Sequence, residues 1–175
     1  MRKLLGIEKA EKRSKKILFC VRGTWYGKNW NPDYFVEVID STAKKYNADC
    51  YIMGTTGDYD YSQSIIDKCK VKVENICGRT KPSDLVPLFM LSDLLVSVDT
   101  GTAHMAATTD IPIISIYLAT NPVQWRPLSD RAVLLCQEQV FKQFNLEAVS
   151  DLISYETILP EHLMQKNEFE INKES

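Results

Sequence analysis

The apolar residues of this chain fall into short runs separated by helical patterns, and this alternation is the feature that most restricts the fold. Leu94–Val98 is an almost continuous apolar run of the kind found in strands buried on both faces. Strands and helices that alternate along a chain predict a mostly parallel sheet with helices on both sides, which is an α/β fold. The other predicted strands are 17–21, 50–53, 71–77, 112–117 and 132–135.

The predicted helices lie between these strands and carry recognisable start signals. Asn31 is followed by a proline and is predicted to cap one helix, and Ser83 is predicted to cap another. A short helix is predicted at 104–108. Asn145 is predicted to cap a last helix. The apolar face of that last helix would consist of Leu146, Val149, Leu152 and Ile153.

Length and composition indicate one folded domain in a chain of 175 residues, of which 45% are hydrophobic and 25% charged. No apolar run approaches the ~20 residues that a membrane-spanning helix needs, and no apolar signal core follows the basic N-terminus. The five cysteines are odd in number and none lies at Cys-x-x-Cys spacing. They are therefore expected to be reduced thiols of a cytoplasmic protein, and neither a disulfide framework nor a zinc site is expected.

Charge is distributed unevenly along the chain. Residues 1–16 hold seven Lys or Arg and two Glu, whereas the whole chain has a formal net charge of −2. The acidic remainder argues against nucleic acid as a partner. The basic segment, interpreted as a linker or helix, could touch the inner face of the cytoplasmic membrane, although a solvated segment is favoured. The domain is predicted to span 17–159, followed by a polar tail at 160–175.

The turn at 99–102 follows the buried run at the edge where parallel sheets bind ligands, beyond the carboxyl ends of the strands. An aspartic protease, which pairs two Asp-Thr-Gly loops, is disfavoured because those enzymes are all-β and a helical run follows here. A structural interpretation is that Asp99 caps the helix and Gly101 allows a positive φ. An anion-binding interpretation is that backbone N–H groups and two hydroxyls, those of Thr100 and Thr102, hold a diphosphate. Gly101 would then allow close approach, and Asp99 would accept hydrogen bonds from sugar hydroxyls.

The stretch Ser97-Val98-Asp99-Thr100-Gly101-Thr102-Ala103-His104 resembles the signature of the heptosyltransferases, glycosyltransferase family 9, in which Asp-Ser/Thr-Gly-x-x-His precedes small residues. Three further segments resemble the family in order and spacing, within residues 17–136. They are Gly23-Thr24 through Lys28-Asn29-Trp30-Asn31-Pro32, Gly78-Arg79-Thr80 through Leu85 and Asp93, and Ile111-Pro112-Ile113 through Asn121-Pro122. The resemblance implies a GT-B enzyme, whose active site lies between two Rossmann-like domains. This chain is similar to the C-terminal, sugar-nucleotide-binding domain, so a Rossmann-like doubly wound sheet is implied.

The resemblance also implies roles for individual residues. Lys28 would reach the diphosphate and the sugar, Thr24 would contact phosphate, and Asp99 would hold the sugar hydroxyls. Trp30 is interpreted as a packing residue. The remaining donor-binding residues are the diphosphate turn Thr100-Gly101-Thr102, Thr80 at the adenine edge, Asp58 as the acidic residue nearest to the family's ribose carboxylate, and His104. That histidine would either donate to phosphate or lock the turn from inside.

The implied reaction is an inverting transfer that requires no metal and no cofactor. A heptose or related sugar would pass from ADP-heptose or a related nucleotide sugar to a lipopolysaccharide-core or similar glycan acceptor. The general base would be a carboxylate of the N-terminal domain, so no catalytic residue is expected in this chain. Asp58-Tyr59-Asp60 has the letters of a metal motif, but it follows the second strand and is not expected to bind metal.

Nothing in the chain resembles the N-terminal domain, and residues 1–16 would occupy the place of the interdomain linker. The chain would then be an excised piece, a truncated gene product or a half that works with a separate N-terminal partner. Two other classes stay open. One is a nucleotide-sugar-binding module that performs no chemistry alone. The other is an unrelated flavodoxin-like protein, which would need an acidic cluster or flavin loop where Arg22-Gly23-Thr24 stands.

Overall fold

The computed structural model describes residue 4 and residues 14–172, which form a seven-stranded, fully parallel sheet. The strand order is β3-β2-β1-β4-β5-β6-β7. This is the doubly wound order, in which the chain reverses direction across the sheet between β1 and β4. The predicted Rossmann-like α/β fold is therefore confirmed. The strands are β1 Lys15–Cys20, β2 Ala48–Ile52, β3 Val73–Asn75, β4 Leu94–Val98, β5 Ile113–Tyr117, β6 Ala132–Gln137 and β7 Leu152–Tyr155.

Helices connect these strands and cover both faces of the sheet. The first helix begins after Asn31, whose side-chain oxygen accepts a hydrogen bond from the Asp33 N–H at 2.9 Å, as the cap prediction requires. None of the described helices has the length and apolar character needed to cross a membrane. The helices are α1 Pro32–Tyr46, α2 Tyr59–Ile66, α3 Pro82–Met90, α4 Gly101–Ala106, α5 Pro122–Trp125, α6 Glu138–Gln143 and α7 Pro160–Asn172.

The core has two layers because alternate residues of each strand face opposite sides of the sheet. In β1, Ile17 and Phe19 pack in one cluster with Phe35 of α1. Leu18 belongs to the opposite cluster, which includes Leu88 of α3. All five of these side chains have no exposed surface. The central strands are packed on both faces, and this packing fixes the positions from which the loops at their carboxyl ends begin.

The polar tail predicted at 160–175 is wrong for its first part. Residues 160–172 form α7, which packs against α1. Leu163 is fully buried in the same cluster as β1, and Met164 packs against that cluster. Leu163 and Met164 attach this helix to the core. The segment is mostly polar, so these two apolar residues did not stand out in the sequence.

The helix predicted after Asn145 is also wrong. Asn145 has a left-handed backbone with φ 52° after α6, and residues 152–155 form β7, which pairs with β6. Leu152 packs in one hydrophobic cluster, whereas Ile153 packs against the cluster on the other face of the sheet. Neighbouring residues that face opposite sides have the period of a strand, not of a helix.

The first strand begins at Lys15, two residues before the predicted start of the domain. The Lys16 backbone N–H donates to the Asp93 carboxylate at 2.7 Å, and the Lys16 ammonium pairs with Asp49. The Lys15 ammonium lies 3.6 Å from Asp93, so two basic residues of the predicted linker belong to the sheet. The rest of that linker, apart from Leu4 and Ser14, lies outside the described residues, and its interpretation as a linker or helix stays a prediction.

Candidate functional site

A cavity of about 530 Å³ lies at the carboxyl ends of four neighbouring strands, β1 to β4. Its lining residues come from four segments, 20–24, 53–58, 80–85 and 100–102, each of which follows one of these strands. The cavity thus lies beside the reversal of strand order between β1 and β4, where doubly wound sheets bind ligands. Its volume lies within the range of about 300–1,000 Å³ that is usual for small-molecule sites.

The turn after β4 does not match the structural interpretation of its residues. The N-cap of α4 is Thr100, in an extended conformation and without a side-chain cap bond, so Asp99 does not cap the helix. Gly78 is the described glycine with a positive φ, so Gly101 is not required for backbone conformation. A Cβ added at Gly101 would meet no atom within 4 Å. The interpretation that Gly101 leaves room for a ligand is the one that agrees with this geometry.

The α4 helix begins at Gly101 itself, three residues earlier than predicted. The N–H groups of Gly101 and Thr102 therefore belong to the first helical turn, where backbone donors have no partner within the helix. Both residues line the cavity. These two N–H groups were among the donors predicted for a diphosphate, and they lie at the free N-terminal end of α4.

The Thr100 hydroxyl, in contrast, takes part in contacts inside the protein. It lies 3.2 Å from the Ser97 hydroxyl and 3.7 Å from the Cys20 sulfur. Ser97 in turn donates to the carbonyl of Val98 at 2.6 Å. Burial raises the pKa of the Cys20 thiol, which keeps its proton and can donate. Thr100 thus braces the turn through its side chain and can offer a ligand its backbone more readily than its hydroxyl.

Lys28 and Asp99, which were predicted to contact a donor separately, contact each other. The Lys28 ammonium lies 2.8 Å from Asp99 Oδ2, and the exposed fractions of the two side chains are 15% and 5%. Thr120 donates to the same oxygen at 2.6 Å. Neither charged residue is among those that line the cavity. The pair therefore forms a neutral, hydrogen-bonded cluster at the β1, β4 and β5 loops.

The loop that carries Lys28 is shaped by Gly23. A Cβ at this position would lie 2.5 Å from the Lys28 Cβ, so the lysine side chain can cross the loop because residue 23 has none. The Gly23 N–H donates to the side chain of Asn29 at 2.8 Å and closes the loop. Thr24, beside Gly23, is exposed and lines the cavity. This loop therefore carries one residue toward the cavity and another toward Asp99.

The predicted ribose and adenine residues both line the cavity. Asp58 accepts hydrogen bonds from the Thr55 N–H at 2.8 Å and from its hydroxyl at 2.7 Å. The Arg22 guanidinium lies 3.5 Å from the other oxygen of Asp58. Thr80 follows β3 at the far end of the same cavity. The structure therefore brings together Thr24, Asp58, Thr80 and the 100–102 turn around one space.

His104 is exposed on α4, and the buried face of that helix consists of Ala103 and Ala106. His104 therefore does not hold the turn from inside the protein. Its predicted contact to phosphate stays a prediction. Trp30 is buried and donates through Nε1 to the carbonyl of Ile158 at 2.8 Å, which confirms its interpretation as a packing residue. In the part of the chain that the structure describes, no three His, Cys, Asp or Glu side chains group as metal ligands.

Two residues of this region were not predicted from the sequence. Thr120 follows β5, which neighbours β4, so the strand order alone would have placed it near Asp99. Arg22 lies two residues after the end of β1, and no role was predicted for it from the sequence. In both cases the signal was a polar residue just beyond a buried strand, which is where ligand-facing residues of parallel sheets stand.

Fold and cavity together define an α/β protein of the class that binds ligands at the carboxyl edge of a doubly wound sheet. The family model of glycosyltransferase family 9 (heptosyltransferase) matches residues 5–153. This match covers most of the chain, which therefore belongs to that family.

Curated relatives agree with this assignment. The chain is 28% identical over 134 residues to a lipopolysaccharide core heptosyltransferase, OpsX, of Haemophilus influenzae, an alignment that covers 74% of the chain and 38% of that protein. It is 29% identical over 108 residues to lipopolysaccharide heptosyltransferase 3 of Escherichia coli, covering 61% of the chain and 31% of that protein. The chain thus spans well under half the length of these relatives.

Solved structures share the fold. The ADP-heptose lipopolysaccharide heptosyltransferase II of E. coli superimposes with a TM-score of 0.76 at 17% identity, over 94% of this chain and 48% of that chain. The E. coli heptosyltransferase WaaC, solved with ADP, superimposes with a TM-score of 0.63 at 18% identity, over 82% of this chain and 47% of that one. At these identities the likeness concerns the fold alone.

Proposed function

We propose that this chain is the donor-binding domain of a heptosyltransferase-type glycosyltransferase. It binds ADP-heptose or a related nucleotide sugar, whose sugar goes to a lipopolysaccharide-core or similar glycan acceptor. The observation that carries the proposal is the space in front of Gly101, beside the first N–H groups of α4 and within the cavity at the strand ends. Backbone donors and an open glycine suit the close approach of a diphosphate.

The lining residues divide the cavity into subsites. The diphosphate lies against Gly101, Thr102 and Thr24. Asp58 is positioned for the ribose, and the nucleobase lies toward Thr80, which follows β3. Two of the related structures, an ADP-heptose lipopolysaccharide heptosyltransferase and a heptosyltransferase solved with ADP, support adenine as the base.

The Lys28–Asp99 pair is proposed to lie next to the sugar. Its lysine can offset negative charge on the departing diphosphate, and its carboxylate can accept hydrogen bonds from sugar hydroxyls. Charge on the leaving group is then balanced by an ammonium and by backbone N–H groups, and we expect donor binding to require no metal ion and no cofactor.

The second candidate is a nucleotide-sugar-binding module without catalysis of its own. For the isolated chain it is favoured because both carboxylates of the site already have partners in the protein. Asp58 is held by Thr55 and lies beside Arg22, and Asp99 is held by Lys28 and Thr120. A general base must lie within ~3 Å of the attacking hydroxyl and be free to take its proton. We therefore expect the base and the acceptor site to come from a second domain.

Turnover separates these two candidates. The chain is incubated with ADP-heptose and a heptose-deficient core acceptor, and ADP release and acceptor mass are followed. We expect bound donor and no transfer, with transfer appearing when an N-terminal half of a relative is added. Transfer by the chain alone would show that it carries its own base.

A further inference from the structure

Arg22 belongs to the loop that follows β1, and the pairing of β1 with β4 sets its position along the sheet edge. The last paired residue of β1, Cys20, lies opposite Ser97 of β4, so two residues later Arg22 is level with the start of the 99–102 turn. Arg22 lines the cavity, as do Gly101 and Thr102 of that turn. Adjacent strands are about 4.8 Å apart, so a ligand group at the turn is within reach of a long side chain on the β1 loop.

Contacts on one side of the guanidinium hold it in place. Nη1 donates to the carbonyl of Gly57 at 3.0 Å and lies 3.5 Å from Asp58 Oδ1. The guanidinium carbon lies 5.4 Å from the centre of the Tyr61 ring, in cation–π distance. These three contacts come from the β2–α2 segment, so the arginine spans from the β1 loop to the neighbouring one.

The other nitrogens of the guanidinium are available to a ligand. Nε and Nη2 make no hydrogen bond to any residue that the structure describes, and the side chain is 41% exposed. An arginine that is anchored through one nitrogen keeps a planar pair of donors, the geometry that binds phosphate oxygens in bidentate fashion. Anchoring also lowers the entropy lost when the ligand binds.

Charge balance points in the same direction. The charged side chains that line the cavity are Arg22, Lys81 and Asp58, so the lining carries one net positive charge. Lys28, which was predicted to reach the diphosphate and the sugar, is paired with Asp99 and does not line the cavity. The cation that faces the cavity from the β1 loop is therefore Arg22.

We propose that Arg22 is a phosphate ligand of this site. It contacts the diphosphate of the nucleotide through Nε and Nη2, while Nη1 stays on Gly57 and Asp58. Through this contact the cavity distinguishes a nucleoside diphosphate from an uncharged nucleoside. The inference rests on the proposed function, since it concerns the same donor site.

The test compares variants by isothermal titration with ADP and with adenosine. Arg22→Gln removes the charge and Arg22→Lys keeps it without the planar pair of donors. The matched control is Arg79→Gln, because Arg79 pairs with Glu74 on the surface and does not line the cavity. We expect Arg22→Gln to weaken ADP binding about tenfold or more, as expected for a lost charge-assisted contact, and to change adenosine binding less than about twofold. Arg22→Lys should fall between, and Arg79→Gln should match the unaltered chain.

Each contrary outcome has a distinct meaning. ADP binding that Arg22→Gln leaves unchanged would overturn the role of Arg22 and leave the proposed function intact. Equal losses for ADP and adenosine would also overturn it, because the arginine would then support the Asp58 loop rather than bind phosphate. Failure of the unaltered, folded chain to bind ADP would overturn the proposed function and this inference together.

Discussion

The Lys28 ammonium lies 2.8 Å from Asp99 Oδ2, and this ion pair joins the loop after β1 to the turn after β4. Thr120, from the loop after β5, donates to the same carboxylate oxygen. Three loops on adjacent strands are thus connected through one carboxylate. A sugar or phosphate that contacts Lys28 or Asp99 must share this hydrogen-bond network or replace part of it, so stability and donor binding are coupled here.

Lys28→Met should lower the free energy of unfolding by about 1–3 kcal/mol, because it leaves the nearly buried Asp99 carboxylate without its charged partner. Urea unfolding measures this loss. The control is the double variant Lys28→Met with Asp99→Asn, which should lose less than the sum of the two single variants. Additive losses would mean that the two side chains do not stabilise each other.

Asp99→Asn should separate sugar recognition from nucleotide recognition. The amide can still accept from Thr120, so we expect the turn to keep its shape and ADP affinity to change less than about twofold. ADP-heptose should bind about tenfold more weakly, because a charged acceptor for sugar hydroxyls is lost. Titration with both ligands measures the difference. Equal losses would show that Asp99 shapes the turn instead of contacting the sugar.

The sheet could be predicted from the sequence wherever a strand is buried on both faces. Leu94–Val98 was placed at its observed bounds, because a run that is apolar except for Ser97 is a strong signal. The strand at the β7 edge of the sheet was harder to predict. Leu152 and Ile153 fit an amphipathic helix as well as a short strand, and the choice depended on their pairing with β6, a contact distant in sequence.

The candidate site could be predicted as a set of loops but not as a set of contacts. Strand order places Thr24, Asp58, Thr80 and the 100–102 turn around one cavity, and the position of each after a strand indicated this. The pairing of Lys28 with Asp99 depends on side-chain rotamers and on the path allowed by Gly23. The order of residue types along the chain specifies neither the rotamers nor the path of the lysine side chain.

Gly101→Ala should weaken ADP binding and leave the fold intact. A Cβ at this position meets no protein atom within 4 Å, so the variant should be as stable as the unaltered chain or more so by about 0.4–1 kcal/mol. The added methyl would occupy the space proposed for the diphosphate. The control is Gly23→Ala, whose Cβ would lie 2.5 Å from the Lys28 Cβ and should lower the melting temperature. Unchanged ADP affinity in Gly101→Ala would contradict the placement of the diphosphate.

The Arg126–Asp151 ion pair predicts a pH dependence of stability. The hydrogen bond from Arg126 lowers the pKa of the Asp151 carboxyl, so the folded state favours its charged form. Stability from this pair is present at neutral pH, begins to fall near pH 4 and is lost as pH falls through the folded-state pKa. Asp151→Asn should therefore lower the melting temperature slightly at pH 7 and have no effect in strong acid. An equal effect at both pH values would contradict the pKa shift.

Titration of the folded chain with nucleotides tests the central claim most directly, namely that the cavity at the carboxyl ends of β1 to β4 binds the diphosphate of a nucleotide sugar. ADP, UDP, GDP and CMP are compared by isothermal titration, with and without a chelator. We predict saturable binding of ADP, weaker binding of the other three nucleotides, and no change with the chelator, because Arg22 and the N–H groups of α4 supply the balancing charge. Absence of binding to any nucleoside diphosphate would contradict the account.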